Sequence, residues 1–313
     1  MTYDVIIVGA GPAGIFTALE LAQKKKLKVL ILEKGKELEE RICLSRVKES
    51  TCFHCNPCAA ICGWGGAGAF SDGKLTLSPE IGGSLEQYIG ESALQELISY
   101  IDEIYVRFGA PKSIYGLEQT EKIQEFQHKA AQAELKLIPV AIRHLGTGRC
   151  KEILEGMQDY LTTSGVEMRT SCPAESVLTD ADQVKGVITA KGESIYARHV
   201  VLAPGREGAE WLVREAQRLG LRTEVNPVDI GVRVEVPAAV MEPLTNVFYE
   251  SKFIYYSRAF DDKVRTFCMN PYGEVVLENI DGLVTVNGHT HAYKKTTNTN
   301  FAVLVSKTFT EPF

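Results

Sequence analysis

A chain of 313 residues, 45% of them hydrophobic and 24% charged, has a globular composition and the length of about two domains, which excludes a disordered or low-complexity polypeptide. The net charge of -6 and pI near 5.7 exclude the basic stripe of a general nucleic-acid binder. No apolar run approaches the ~18 residues of a membrane span. No basic region precedes Tyr3 to Val8 and no small-residue cleavage site follows it, so the expectation is a cytoplasmic protein.

The elements follow in chain order. Asp4 to Val8 is short, β-branched and continuously apolar, as a buried strand is. Gly9 to Gly14 is a turn. Ala13 to Lys25 reads as a helix with Ile15, Ala18, Leu19 and Ala22 on one face, and Lys28 to Leu32 as a second buried strand. This is a βαβ unit, whose crossover should be right-handed. Residues 34 to 83 show little periodicity and hold a cysteine group and a glycine run. Leu85 to Phe108 and Glu118 to Ala133 look helical, and Leu135 to Ile142 extended. Lys151 to Thr162 is a helix and Val166 to Arg169 a strand. Ser176 to Ala190, turning near Asp182, resembles a hairpin. His199 to Ala203 is an apolar strand, and Ala209 to Leu219 a helix ended by Gly220. From Val225 short strands alternate with turns: Gly231 to Val236, Phe253 to Tyr256, Val264 to Met269, Glu274 to Leu277 and Leu283 to Val286. The expected class is α/β. Residues 1–225 would form a Rossmann-type domain, with its core in 1–35 and about 165–225, a cysteine and glycine loop at 43–74 and a helical insert at about 84–134. Residues 226–313 would form a second, mainly β domain.

Gly9-Ala-Gly11-Pro12-Ala13-Gly14 fits GxGxxG, directly after a strand and opening a helix. Gly9 permits the tight turn, Gly11 lets the backbone approach a pyrophosphate at the helix N-terminus, and Gly14 allows close helix–strand packing. Glu33, at the end of the second strand, is placed to bind a ribose 2′-hydroxyl and to repel a 2′-phosphate. With Glu33-Lys34, the motif resembles the glutathione-reductase-type two-dinucleotide-binding flavoproteins. Their later apolar strand, ending Ala-Thr-Gly, has a counterpart in Val200 to Gly205, with Pro204 for the threonine. The resemblance implies FAD as cofactor and adds Ala203 and Gly205 to its site. Arg41 stands where such proteins often carry an arginine near the pyrophosphate.

Gly63-Trp-Gly-Gly-Ala-Gly-Ala-Phe-Ser-Asp-Gly-Lys74, Gly231-Val-Arg-Val-Glu235, Thr266 to Gly273 and Val286-Asn-Gly-His289 resemble a narrower family, the uncharacterised FAD-dependent dehydrogenases called NAD(FAD)-utilising. That resemblance implies redox chemistry. It also implies a chain continuing past Phe313 into a further glycine-rich flavin segment, so the sequence reads as C-terminally truncated, with an incomplete second domain. The glycine run admits positive φ and can lie flat against a cofactor. On this reading Gly65, Gly66, Gly68, Ser71 and Asp72 touch FAD. Lys74 is either an acid or anion anchor or, the commoner role for a lone lysine, solvated.

Cys52, Cys55, Cys58 and Cys62 follow C-x2-C-x2-C-x3-C, the spacing of a ferredoxin-type iron–sulfur run. A 4Fe–4S cluster, a zinc ion, a redox dithiol and unliganded thiols all remain open, with Cys43 a substitute fourth ligand. His289, in a turn-like setting, is a candidate general acid or a turn contact. Arg143 and His144 are candidate anion anchors or solvated groups, while Cys150, Cys172 and Cys268 read as ordinary buried or half-buried thiols. The leading expectation is an FAD-dependent oxidoreductase acting on a small-molecule redox substrate. The rivals are a flavin and iron–sulfur electron-transfer module serving a protein partner, and a flavin-binding protein with a structural or tRNA-modification role.

Overall fold

A computed structural model describes residues 2–24, 26–48, 53–70, 73–145, 149–280, 283–290 and 295–309, with the side chains of 45, 46, 70, 277–280, 283, 284 and 289 outside the description. The chain forms two compact units, Met1–Ser71 with Arg149–Thr223 and Asp72–Gly148 with Glu224–Phe313. The helical insert expected at about 84–134 in the first domain falls in the second unit, where the strand that follows it, Lys136–Ile138, pairs with Lys252–Tyr256 and Leu137 is buried beside Val247 and Phe248.

The first unit is built on a six-stranded sheet, in the order Glu167–Arg169, Val29–Leu32, Thr2–Val8, Ser194–Leu202, Gln183–Thr189, Ala174–Asp180. The first four strands are parallel and the last two form an antiparallel hairpin. Ile6, Ile7, Leu30, Ile31 and Leu32 are all buried, which is why these strands lack polar alternation. Each such side chain contributes ~1.5–3 kcal/mol on burial. On one face Ile6, Val8, Leu30 and Leu32 meet Val187, Ile195 and Ala197, with Trp211 packed against them. On the other lie Ile15, Ala18 and Leu19 of helix Pro12–Ala22, which packs on helix Arg149–Thr163 and its buried Ile153, Met157 and Leu161. The opening helix starts at Pro12, where the missing N–H costs nothing, and stops at Ala22, so the lysines expected at its C-terminal end lie beyond it.

The hairpin leaves Ala174–Asp180 at the sheet edge, and helix Ala209–Arg218 covers it. The Val177 N–H donates to Glu215 Oε2 at 2.8 Å, and Arg218 Nη2 donates to the Val177 carbonyl at 2.6 Å. The ion pair thus supplies the donor and acceptor that a further strand would have offered.

The second unit holds an antiparallel five-stranded sheet, in the order Val228–Pro237, Asn298–Lys307, Lys263–Asn270, Lys252–Tyr256, Lys136–Ile138. Two further pairs are Lys74–Thr76 with Ile142–His144 and Glu274–Ile280 with Leu283–His289. Helices Thr120–Gln132 and Ala238–Phe248 close a core of Ile123, Ala130, Leu137, Val247 and Phe248. The helix expected over 85–108 is split at Gly90, whose φ of 80° ends Glu86–Ile89 before Glu91–Arg107 begins. The extended stretch expected over 135–142 is two strands, Lys136–Ile138 and Ile142–His144. Among the described residues no helix is long and apolar enough to cross a membrane.

Candidate functional site

The first candidate site is the turn between Thr2–Val8 and the opening helix. Gly9 has φ 105°, and a Cβ there would lie 2.2 Å from the Ala203 carbonyl oxygen. A Cβ on Gly14 would lie 2.0 Å from the Gly9 carbonyl oxygen, so the helix can approach the strand only at a glycine. A Cβ on Gly11 would meet nothing within 4 Å, which leaves that face open at the helix N-terminus formed by Pro12, Ala13 and Gly14. Ala203 follows the Ser194–Leu202 strand and hydrogen-bonds from its N–H to the Val8 carbonyl at 2.8 Å. Gly205 takes φ 66° in the loop beyond, and Lys34 Nζ donates to the Glu207 carbonyl at 3.2 Å on the far side of that loop. Lys34 therefore ties the second strand to the Pro204–Gly205 loop.

The glycine run is seated on this turn. The Gly65 N–H donates to the Ala10 carbonyl at 2.8 Å, and a Cβ on Gly66 would stand 3.1 Å from Gly11 Cα. Gly66–Phe70 continues as a short 3-10 helix in which a Cβ on Gly68 would meet nothing. Trp64 anchors the run from below, fully buried, its Nε1 donating to the Leu154 carbonyl at 2.9 Å. Ser71 and Asp72 lie outside the described residues.

Glu33 and Arg41 hold the two loops in register. Glu33 is buried, and its carboxylate accepts from three backbone N–H groups: Ala10 at 2.8 Å on Oε2, Gly35 at 2.8 Å and Gly63 at 2.9 Å on Oε1. A carboxylate has about four acceptor positions, so Oε2 keeps room for one further donor such as a ribose hydroxyl. Arg41 is buried. Its guanidinium donates to the carbonyls of Ala59, Ala60, Trp64 and Gly66, which binds the cysteine segment to the glycine run. Burial lowers its pKa to about 10, against the pull of Glu33.

The described cysteines of the ladder do not gather into a ligand set. Cys55 is exposed, Cys43 and Cys58 are half-buried and Cys62 is buried. Among the described residues no group of three His, Cys, Asp or Glu side chains is placed to hold a metal, and Cys52 lies outside them. Burial is the main cause that raises the Cys62 pKa to about 12, so its sulfur is a thiol at neutral pH. Cys150 is buried and Cys172 and Cys268 are half-buried.

A second polar cluster lies in the other unit. Lys74 is not solvated: its Nζ donates to the Met269 carbonyl at 3.1 Å and pairs with Glu250 at 3.5 Å. Glu250 also accepts from Lys252 and from the Met269 N–H at 3.4 Å. Burial opposes the charge on Glu250, but the two ammonium groups outweigh it and hold its carboxyl below the ordinary range. Tyr249, with φ 59°, shares a 3.3 Å hydrogen bond with His144. Arg143 is buried rather than solvated, gripped in a bidentate pair by Asp102 at 2.5 and 2.7 Å.

Beside Lys74 the Lys263–Asn270 strand bulges between Phe267 and Asn270, and Cys268 takes φ 47°. Arg233 bridges the bulge, donating to the Cys268 carbonyl at 2.7 Å, Asn270 Oδ1 at 2.5 Å and Asn300 Oδ1 at 2.7 Å. A Cβ on Gly288 would fall 1.7 Å from Arg233 Nη2, so the hairpin backbone lies on the guanidinium there. The stretches 231–235, 266–273 and 286–289 and the end of the 63–74 run thus meet within one unit. The His289 side chain lies outside the description. Sequence reasoning missed Glu250, Lys252 and Asn300. The first two carried a signal, charges set inside the apolar run Phe248 to Tyr256.

Residues 4–40, which span the βαβ unit, match the family model described as FAD dependent oxidoreductase. Over 96% of its length the chain is 26% identical to an uncharacterized protein of Clostridium beijerinckii (strain ATCC 51743 / NCIMB 8052), and it spans 51% of that protein, about half. A mutant form of NikD, an unusual amino acid oxidase essential for nikkomycin biosynthesis, has a similar fold: TM-score 0.52 and 15% identity, over 99% of this chain and 72% of NikD. Glycine oxidase from Geobacillus kaustophilus aligns at TM-score 0.45 and 15% identity, over 98% of this chain and 83% of its own.

Proposed function

We propose that this chain is the FAD-binding part of an oxidoreductase acting on a small-molecule redox substrate. The observation that carries the reading is the pairing of two glycine segments: the open Gly11 face at a helix N-terminus, with Gly65 and Gly66 packed alongside it. Glycine backbone from both segments meets here, as close approach of a pyrophosphate needs, and the helix dipole favours the negative charge. The residues that would hold FAD are Gly9, Gly11, Pro12, Ala13 and Gly14 at the pyrophosphate, Glu33 through Oε2 at the ribose, and Gly65, Gly66 and Gly68 beside it. When bound, the flavin supplies hydride or electron transfer, while the protein positions it. Ala203, Gly205 and Lys34 shape the loop next to the first glycine. Arg41 acts through the glycine run, whose carbonyls it holds.

The test is Gly11→Ala. Its Cβ would touch no protein atom, so stability should stay within ~0.5 kcal/mol of the parent. FAD affinity, read by flavin fluorescence quenching, should fall at least tenfold. Unchanged FAD affinity in the stable variant would refute the assignment.

A further inference from the structure

A sheet edge offers unpaired backbone groups to any strand that can add to it, and three of the four edges of the two large sheets are blunted or covered. In the first unit Glu167–Arg169 is three residues long and charged at both ends, and on the opposite edge Glu215 and Arg218 occupy Val177. In the second unit Lys136–Ile138 is three residues long and opens on a lysine. The fourth edge, Val228–Pro237, is ten residues long and pairs with Asn298–Lys307 in one unbroken register, with no bulge and no lysine.

The ladder fixes which backbone groups reach that edge. The Ala238 N–H donates to the Thr297 carbonyl at 2.8 Å, which makes these two residues a hydrogen-bonded pair in the same register. Bonded pairs alternate along an antiparallel ladder, so Val236, Val234, Val232, Ile230 and Val228 turn their N–H and C=O groups inward to Asn298–Lys307. Asp229, Gly231, Arg233 and Glu235 turn theirs to the open edge, where none meets a hydrogen-bond partner among the described residues. One face beside the edge is apolar and uncovered: Val228, Ile230 and Val232 are 45%, 50% and 64% exposed.

The strand is complementary to a second copy of itself. Antiparallel pairing about a two-fold axis at Gly231 brings outward groups against outward groups and sets Asp229 opposite Arg233 of the second copy. On the apolar face Val228 then meets Val234 and Ile230 meets Val232, β-branched pairs that favour a ladder. Moving the axis to Val232 would oppose Asp229 and Glu235, and moving it to Arg233 would oppose the two arginines. Like charges directly opposite are destabilising. With the axis at Ile230 no charged pair forms.

We propose that two copies of this chain dimerise edge to edge through Val228–Pro237, antiparallel and centred on Gly231, so that the five-stranded sheets join into one. The surface lies wholly within the second unit and does not depend on the flavin reading. A single strand pair is smaller than a standard interface, so the dimer should be weak and concentration-dependent.

The experiment is sedimentation of the whole chain over a concentration series, with amide hydrogen exchange followed across the same series. The mass should rise from 34.5 kDa toward about 69 kDa, twice that value, while exchange at Gly231 and Arg233 slows. Val232→Lys sets a lysine inside the ladder at a position already mostly in water. It should raise the dimer dissociation constant at least tenfold and leave the unfolding midpoint in place. Val240→Lys, 63% exposed on helix Ala238–Phe248, removes an equally exposed valine away from the edge and should leave the constant unchanged. Glu235→Lys reads the register: opposite Pro227 it should change little, whereas an axis at Val232 would set it against Asp229 and tighten the dimer. The proposal is overturned by a chain that stays monomeric throughout, by edge amides already protected in the monomer, by equal effects of Val232→Lys and Val240→Lys, or by tighter pairing in Glu235→Lys.

Discussion

At Glu33, three backbone N–H groups from three different segments meet on one side chain. That makes the residue a keystone as well as a candidate ribose ligand, and a graded substitution separates the roles. Glu33→Gln keeps the shape but turns one acceptor into a donor, which leaves at least one of the three N–H groups facing another N–H. The expected cost is ~1–3 kcal/mol, read as a lower denaturation midpoint. Gly11→Ala should show no such cost, so the pair tells a folding defect from a binding defect. Cys62 gives a pH signature at the same scale. Its thiol titrates near 9 when unfolded and near 12 when folded. The folded state thus holds more protons between those values, and stability is kept below pH 9 and lost as pH rises toward 12. Cys62→Ala should flatten the alkaline limb of a stability profile. Alkylation followed by mass spectrometry should label exposed Cys55 well before Cys62.

Elements are fixed by a few long-range polar contacts. Arg143, on strand Ile142–His144, grips Asp102 on helix Glu91–Arg107 and also donates to the Pro111 carbonyl at 2.5 Å. Arg143 is buried and Asp102 half-buried, and Asp102→Ala leaves a buried guanidinium with no counter-charge. The expected destabilisation is ~3–5 kcal/mol, measurable by urea unfolding. The elements legible in the sequence are those whose pattern is local. The βαβ unit declares itself through Ile6, Ile7, Leu30 and Ile31 around three glycines, and the hairpin through its turn at Asp182. Helix Ala238–Phe248 was not legible, because Pro243 sits inside it and its place comes from Val247 and Phe248 packing on Ile123 and Leu137. Strand Asn298–Lys307 was missed for a related reason. It lies between Val228–Pro237 and Lys263–Asn270, and only that pairing makes it a strand. Around the sites, the glycine positions could be read from spacing. The partners of Arg233 could not, since Asn270 and Asn300 are remote in sequence from it.

At the scale of the molecule the chain passes between the units near residues 72, 149 and 224. Each unit has its own sheet and core, so damage in one should leave local stability in the other. Hydrogen exchange on Asp102→Ala should show faster exchange in strand Ile142–His144 and unchanged protection in strand Thr2–Val8. Faster exchange throughout would show that the units unfold as one.

The order of strands in the first sheet also sets a timetable for synthesis. Thr2–Val8 leaves the ribosome well before its neighbour Ser194–Leu202, which follows only after about 200 residues, roughly 10–40 s at usual elongation rates. Val29–Leu32 reaches it early and pairs one edge; the other edge of this apolar strand waits through translation of the whole insert. During that interval the nascent chain offers an apolar strand to chaperones or to a sister polypeptide, so yield should respond to elongation speed and chaperone supply more than to the equilibrium stability of the finished fold.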